Sequence, residues 1–494
     1  MKKSLIITAL ILCIFQACNV VPEEYSDGSN ATISPDYTNI TVPSNIAPAN
    51  FMIMDAARQY ITVLQSGTES VIIAGAKVCI PQNKWHNLTS QGSITVTIFE
   101  KHEEGWTRMK PFTITPAEEI DRYITYRVIP PSFETYRKLS IVQRDLTGYS
   151  DKILYSNSMT TSGAQFQCIN CHSFKNWHTD NMQFHIRGYL GGTLLYTQNN
   201  LSKLTFKTDS VISSGVYPSW HPTHNYIAYS TNRTFQNLHT VDNNRVEVFD
   251  EMSDLILYDI SSNSISIIEN SPSELECFPY WSADGKTLYY VSANIGNPQE
   301  FYDNGGVSAA TQDIRYNLYA KPFNPDDCTW GKSKLIINAD SLGKSITLPR
   351  VSPDGRWLMF TMGNQGVFHI WHKDSELCLL DLKEGGFRMI NEINSPDVES
   401  YHSWSSSGKW VIFSSRREDG LYTRLYLTHM NSDGTFSKPF LLPQKDPEFS
   451  SKFMYSFNIP EFTVEPVRVS ARKLASLIRS KNAEPVNYIQ KRGE

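Results

Sequence analysis

Beyond its first seventeen residues the chain has no run of eighteen uncharged apolar residues, so no later segment reads as a membrane-spanning helix. It has no excess of basic charge. Lys and Arg total 45 against 50 Asp and Glu, a formal net charge of −5, so electrostatics gives no case for a nucleic-acid partner. It has no G-x-S-x-G, which removes the usual nucleophile-elbow hydrolase. It has little cysteine, 8 in 494 residues, and only one C-x-x-C pair. That excludes a disulfide-dense scaffold, and a zinc site would need further ligands at close spacing.

What is present begins with a polar-then-apolar start, "MKKSLIITALILCIFQAC". Lys2 and Lys3 precede a short apolar stretch, the pattern of a secretory signal rather than a permanent span. Ala17-Cys18 at its end resembles the lipobox of bacterial lipoproteins, although Phe15 stands where Leu is usual. The resemblance implies a signal peptide over 1–17 and a lipidated Cys18. It also implies an outer-membrane lipoprotein facing the periplasm or the cell surface. Residues 18–40, rich in Ser, Asp, Asn and Pro, read as a tether.

Two β regions follow. Between 41 and 157, alternating stretches such as "SVIIAGAKVCI" and "GSITVTIFEK" are separated by Pro and Gly clusters, which predicts a β-sandwich. From 184 to 465 the chain repeats itself. "YPSWHPTHNYIAYSTN", "FPYWSADGKTLYYVSA", "LPRVSPDGRWLMFTMG" and "YHSWSSSGKWVIFSSR" align on Trp220, Trp281, Val351 and Trp404. Each has a tight turn after the aligned residue and a short apolar strand after the turn. Each is followed by a second strand pair, as in "SDLILYDISSNSISII". Four strands per unit is the requirement of a propeller blade, and the length allows five or six blades, with six favoured. The repeats resemble the TolB-like, or WD40-like, propeller repeat with its "SPDG" turn, here Ser352 to Gly355. The expected fold is all-β: a sandwich, then this propeller, then a short C-terminal helix within 466–494. That helix should start at Ser470 and bury Leu474, Leu477 and Ile478.

Between the two regions, residues 158–183 hold "CINCHSF". Cys168, Cys171 and His172 form C-x-x-C-H, the spacing of covalent haem c attachment. Two thiols reach the haem vinyl groups and the adjacent imidazole takes the iron. With 8 Cys and 12 His, chance would supply the pattern roughly 0.003 times. A structural disulfide is the main rival. A sixth iron ligand would come from His178, Met182, His185, His221 or His239, with His185 favoured because it starts a strand and follows a loop long enough to fold back over the haem.

The whole layout resembles a group of Bacteroidetes lipoproteins that join a β domain, a "CxNCHSF" segment and a WD40-like propeller. The resemblance implies one haem c on Cys168 and Cys171. It implies electron transfer or haem sensing with an unnamed redox or envelope partner. The other reading is a non-redox propeller that binds an envelope protein or glycan, with Cys168 and Cys171 structural. Neither reading needs a catalyst. Cys79, Cys277, Cys328 and Cys378 are scattered singly, and burial as small core residues is the expected fate of most.

Overall fold

The computed structural model describes residues 21–131, 137–161, 165–238, 246–310, 313–480 and 482–490. Cys18 and the signal segment lie outside them, as does His239. The chain divides into two compact units. One comprises residues up to Glu119 together with Pro443–Lys452. The other comprises Ile120–Leu442 and Phe453–Glu494.

The first unit has a seven-stranded and a three-stranded sheet. Alternation puts Val42, Leu64, Ile94, Val96 and Ile114 inside, and each is essentially fully buried. The helix Gln82–Ser90 adds Trp85 and Leu88 to that core. The Trp85 indole N–H donates to the Ile46 carbonyl oxygen at 2.8 Å, so its one polar atom is satisfied. Asn50 holds Pro443–Lys452 in this unit by donating to the carbonyl oxygens of Gln444 and Lys445.

The second unit consists of six sheets of four or five strands. Their inner strands are Gln167–Lys175, Gly215–Trp220, Glu274–Trp281, Ser345–Val351, Glu399–Trp404 and Ser456–Thr463. We number the blades 1 to 6 in that order. Each inner strand packs against the next, and Ser456–Thr463 packs back against Gln167–Lys175. The cycle closes, which makes the unit a six-bladed propeller.

The four aligned repeats occupy equivalent places in blades 2 to 5. Trp220 pairs with Ile227, Trp281 with Leu288, Val351 with Leu358 and Trp404 with Val411. The intervening turns need left-handed backbone. Gly285, Gly355 and Gly408 have φ of 72°, 72° and 68°, where a Cβ would be strained. The C-terminal helix is Ala471–Arg479. Ser470 caps it by accepting the Lys473 N–H, and Leu474, Ala475 and Ile478 are buried while Leu477 is partly so.

The divisions expected from sequence change in several places. The stretch 18–40 is not a bare tether, because Ser26–Asn30 pairs with Gly105–Lys110 and Ile33–Ser34 with Phe51–Ile53 in the N-terminal sheets. Strands Tyr123–Ile129, Ser140–Asp145 and Asp151–Ser156 do not belong to the N-terminal sheets. They form the outer part of blade 6, where Tyr123–Ile129 pairs with Ser456–Thr463. The sandwich region therefore ends near Glu119 rather than 157. The propeller starts near Ile120 rather than 184. The stretch 158–183 is not a separate segment, because Gln167–Lys175 is the inner strand of blade 1. Beyond the helix, Glu484–Pro485 and Asn487–Tyr488 add parallel strands to the outer edges of blades 1 and 2. No helix among the described residues is long and apolar enough to cross a membrane.

Candidate functional site

The inner strand of every blade is interrupted at one step. In blade 1 Asn170 faces His185 and Ser173 faces Gln183, so three residues span what two span on the partner. This is a β-bulge, and it recurs in the other five blades. Cys171, Tyr217, Phe278, Leu348 and Ile459 stand in it with φ of 49°, 51°, 50°, 55° and 52°. Left-handed backbone at a bulky residue costs about 1–2 kcal/mol. Repeating it in five blades requires that ring packing hold it in place.

This register explains "CHSF". Cys171-His172-Ser173-Phe174 superimposes step by step on Tyr217-Pro218-Ser219-Trp220 and Phe278-Pro279-Tyr280-Trp281. It matches Leu348-Pro349-Arg350-Val351 and Ile459-Pro460-Glu461-Phe462 in the same way. His172 takes the place held elsewhere by proline, as His402 does in Tyr401-His402-Ser403-Trp404.

The two residues that would share a haem face opposite ways. The Cys171 thiol is reached by the backbone of Tyr217 in blade 2. His172 Nε2 lies 3.3 Å from the Thr125 carbonyl oxygen in blade 6. Both are buried, at 4% and 1% exposure. Burial pushes the Cys171 thiol up, and it holds His172 near 3, far below the usual imidazole value. Cys168 is half-buried against the blade 1 core, and both cysteines are free thiols. A haem c needs both thioethers and the imidazole to converge on one macrocycle. Here Cys171 and His172 turn into different blade interfaces, so these residues as folded do not fit the group.

The candidate distal ligands are equally engaged. His185 is buried, held near 3 by desolvation, and its Nδ1 lies 3.1 Å from Thr193 Oγ1. Met182 is core. His178 is exposed and faces Glu465 at 3.6 Å. His221 accepts the N–H groups of Thr223 and His224 at Nδ1, shaping its own turn. Among the described residues no cluster of His, Cys, Asp or Glu is placed to hold a metal ion. Of the other cysteines, Cys277 and Cys378 are buried while Cys79 and Cys328 are exposed.

Sequence reasoning missed the axial cavity. Two residues past each bulge the inner strand points to the propeller axis, and the six residues there are Ser173, Ser219, Tyr280, Arg350, Ser403 and Glu461. All six line a cavity of about 150 Å³. Ser219 Oγ accepts the Trp281 N–H, and Ser403 Oγ donates to the Pro460 carbonyl oxygen. The Arg350 guanidinium lies over the Tyr280 ring at 4.9 Å, a cation–π arrangement. The Glu461 carboxyl is raised to about 7, chiefly by desolvation, with Arg350 and a hydrogen bond from the Phe174 backbone pulling the other way. Trp177, from the blade 1 hairpin, also lines the cavity. Its indole N–H donates to the Trp404 carbonyl oxygen at 2.8 Å. Part of the signal was in the alignment: the column before the aligned residue carries Ser219, Tyr280, Arg350 and Ser403, whereas Ser173 and Glu461 stand outside the four aligned segments.

No protein-family model matches the sequence, and no curated protein matches it. Among solved structures the chain is similar to TolB from Acinetobacter baumannii, at 12% identity and a TM-score of 0.42, over 77% of this chain and 85% of that one. It is also similar to a GH74 enzyme from Niastella koreensis, at 12% identity and a TM-score of 0.39, over 64% of this chain and 45% of that one. A hydrazine synthase from Kuenenia stuttgartiensis matches at 11% identity and a TM-score of 0.39, over 66% of this chain and 47% of that one. At these values none of the three bears on what this chain does.

Proposed function

We propose that this protein is a non-catalytic propeller that binds an envelope ligand in its axial cavity, not an electron-transfer haem protein. The observation that carries the reading is the register of Cys171-His172-Ser173-Phe174 with the other inner strands. A residue set that builds a blade in this way needs no prosthetic group to account for it. The haem reading rests on the C-x-x-C-H spacing and on the family resemblance built around it. The resemblance of Ala17-Cys18 to a lipobox supports a lipid anchor at Cys18 and an envelope location. Replacing Cys18 by Ala should then release the protein from the membrane fraction.

The test uses protein matured alongside a c-type haem assembly system. Thioether-bound haem survives denaturation, so a haem protein would give peroxidase staining at the full-length band of a denaturing gel. The expected result is no staining and no visible absorption band. Staining that disappears when Cys168 and Cys171 are both replaced by Ala would overturn the reading. For the cavity, native mass spectrometry of protein taken from its own envelope should show a small adduct. That adduct should be missing from Ser173→Tyr, which fills the cavity with the side chain type that Tyr280 already contributes to the same ring. An adduct retained by the variant would place binding elsewhere.

A further inference from the structure

We propose that the axial cavity takes a small zwitterion of the α-amino acid class, with its carboxylate on Arg350 and its ammonium on Glu461. The inference rests on the reading of this cavity as the binding site and adds the chemistry of the occupant.

Both charged groups line one cavity that is partly open to solvent. Among the described residues neither stands in salt-bridge contact with a countercharge, although each feels the field of the other. Both side chains are part-exposed on the cavity wall, and two opposite charges held apart on one wall form a receiver for something that brings both partners. Stacking on Tyr280 at 4.9 Å fixes the plane of the Arg350 guanidinium. A fixed guanidinium edge suits a carboxylate, which it binds through two parallel N–H···O bonds. The Glu461 carboxyl receives one backbone hydrogen bond, from Phe174. A carboxylate offers about four lone-pair sites, which leaves capacity for an ammonium with its three donors. Ser173 Oγ, on the same ring, makes no hydrogen bond within the described residues and is free to join.

Charge balance selects the class. A purely anionic occupant would answer Arg350 and leave Glu461 to take a proton, and a purely cationic one would leave Arg350 unanswered. An occupant with both charges satisfies the two at once and adds no net charge to a confined site. Size selects further. The cavity of about 150 Å³ falls below the roughly 300–1,000 Å³ of sites for drug-sized ligands. An amino acid meets that limit, whereas an oligosaccharide does not.

The test is calorimetric titration of the full chain with each of the twenty L-α-amino acids, their N-acetyl forms and their C-terminal amides. At least one free amino acid should bind, with a dissociation constant below about 1 mM. Removing either charge from it should weaken binding about tenfold or more, the scale of one charge-assisted hydrogen-bond set. Glu461→Gln should erase the preference over the N-acetyl form. Arg350→Gln should erase the preference over the amide. Those two ratios report recognition separately from folding, which the melting temperature of each variant checks. Absence of binding by all twenty, or binding that ignores the blocking groups, overturns the proposal. If the native adduct still appears on wild type and is missing from Ser173→Tyr, the cavity remains the site and only the ligand class falls. If that adduct is indifferent to Ser173→Tyr, the axial reading falls with it.

Discussion

Trp404 donates its indole N–H to the carbonyl oxygen of Arg350, one blade back, at 3.1 Å. Trp281 repeats the bond to Ser219 at 3.1 Å. Each is a staple between successive inner strands. Trp220, at the same step of blade 2, is 8% exposed, and its Nε1 has no hydrogen-bond partner.

That contrast separates three otherwise similar substitutions. Trp281→Phe and Trp404→Phe should each lose a buried hydrogen bond as well as ring contacts, and leave a carbonyl unsatisfied, costing about 2–4 kcal/mol. Trp220→Phe removes a buried N–H that bonds to nothing, so part of its packing loss is returned. Its cost should be smaller by about 1 kcal/mol or more. Urea midpoints of the three variants would decide, and equal losses would contradict the assignment.

A second expectation concerns the cysteine motif. If His172 holds the proline step of the repeat, His172→Pro should be tolerated within about 1 kcal/mol, because proline at a compatible backbone position restricts the unfolded chain. The ladder leaves His172 unpaired between Asn170 and Ser173, so no strand hydrogen bond is lost. Asn170→Pro, one turn of pairing earlier, interrupts the ladder opposite His185 and should destabilise by about 3 kcal/mol. Thermal melts of both variants check this. A collapse of His172→Pro alone would return a specific role to the imidazole.

Acidity offers the third. Glu276 is 3% exposed, accepts the Ser271 N–H on one oxygen and has no partner on the other. Desolvation chiefly raises its carboxyl from 4.5 to about 8, aided by Asp254, Glu269 and Glu274. An acid raised in the folded state contributes full stability below its unfolded value and loses it as pH rises through the folded one. Stability should therefore decline between about pH 4.5 and 8. Glu276→Gln, which keeps the acceptor and cannot ionise, should flatten that limb by on the order of 1–3 kcal/mol. The buried imidazoles run the other way. His172 and His185, both near 3, withhold protons that the unfolded chain takes up. Their contribution is present above the ordinary 6.5 and is lost as pH falls toward 3. Denaturant titrations across that range would show both slopes.

Much of the propeller was legible because its repeats carry strong local chemistry. Trp220, Trp281 and Trp404 mark the ends of inner strands, and Asp284-Gly285 and Asp354-Gly355 mark the turns. Blade 6 was not legible. "ITYRVIP" and "RKLSIVQRDL" read as strands from composition, but composition does not say which sheet they join. Their partner, Ser456–Thr463, lies at the other end of the unit. "CINCHSF" misled for a different reason. With histidine in the proline step and cysteine at the bulge, blade 1 shares only the Ser173-Phe174 half of the pattern. A rare spacing then outweighs a weak repeat. The axial charges Arg350 and Glu461 were hidden because they come from different blades and meet only when the ring closes.

That closure also sets an order of events during synthesis. Three strands of blade 6 leave the ribosome before any other blade, and the strand that completes their sheet leaves after the inner strands of all the others. Through that interval Tyr123–Ile129 presents an unpaired edge, the kind of surface on which other chains add strands. Long-range pairing of this sort is slow to form. A chain stopped short of Ser456 would hold five blades, two of them still lacking their edge strands from Glu484–Pro485 and Asn487–Tyr488, and a permanently open seam. The vulnerable species of this protein is thus the nearly complete one, and a chaperone would have to cover that edge until the last strand arrives.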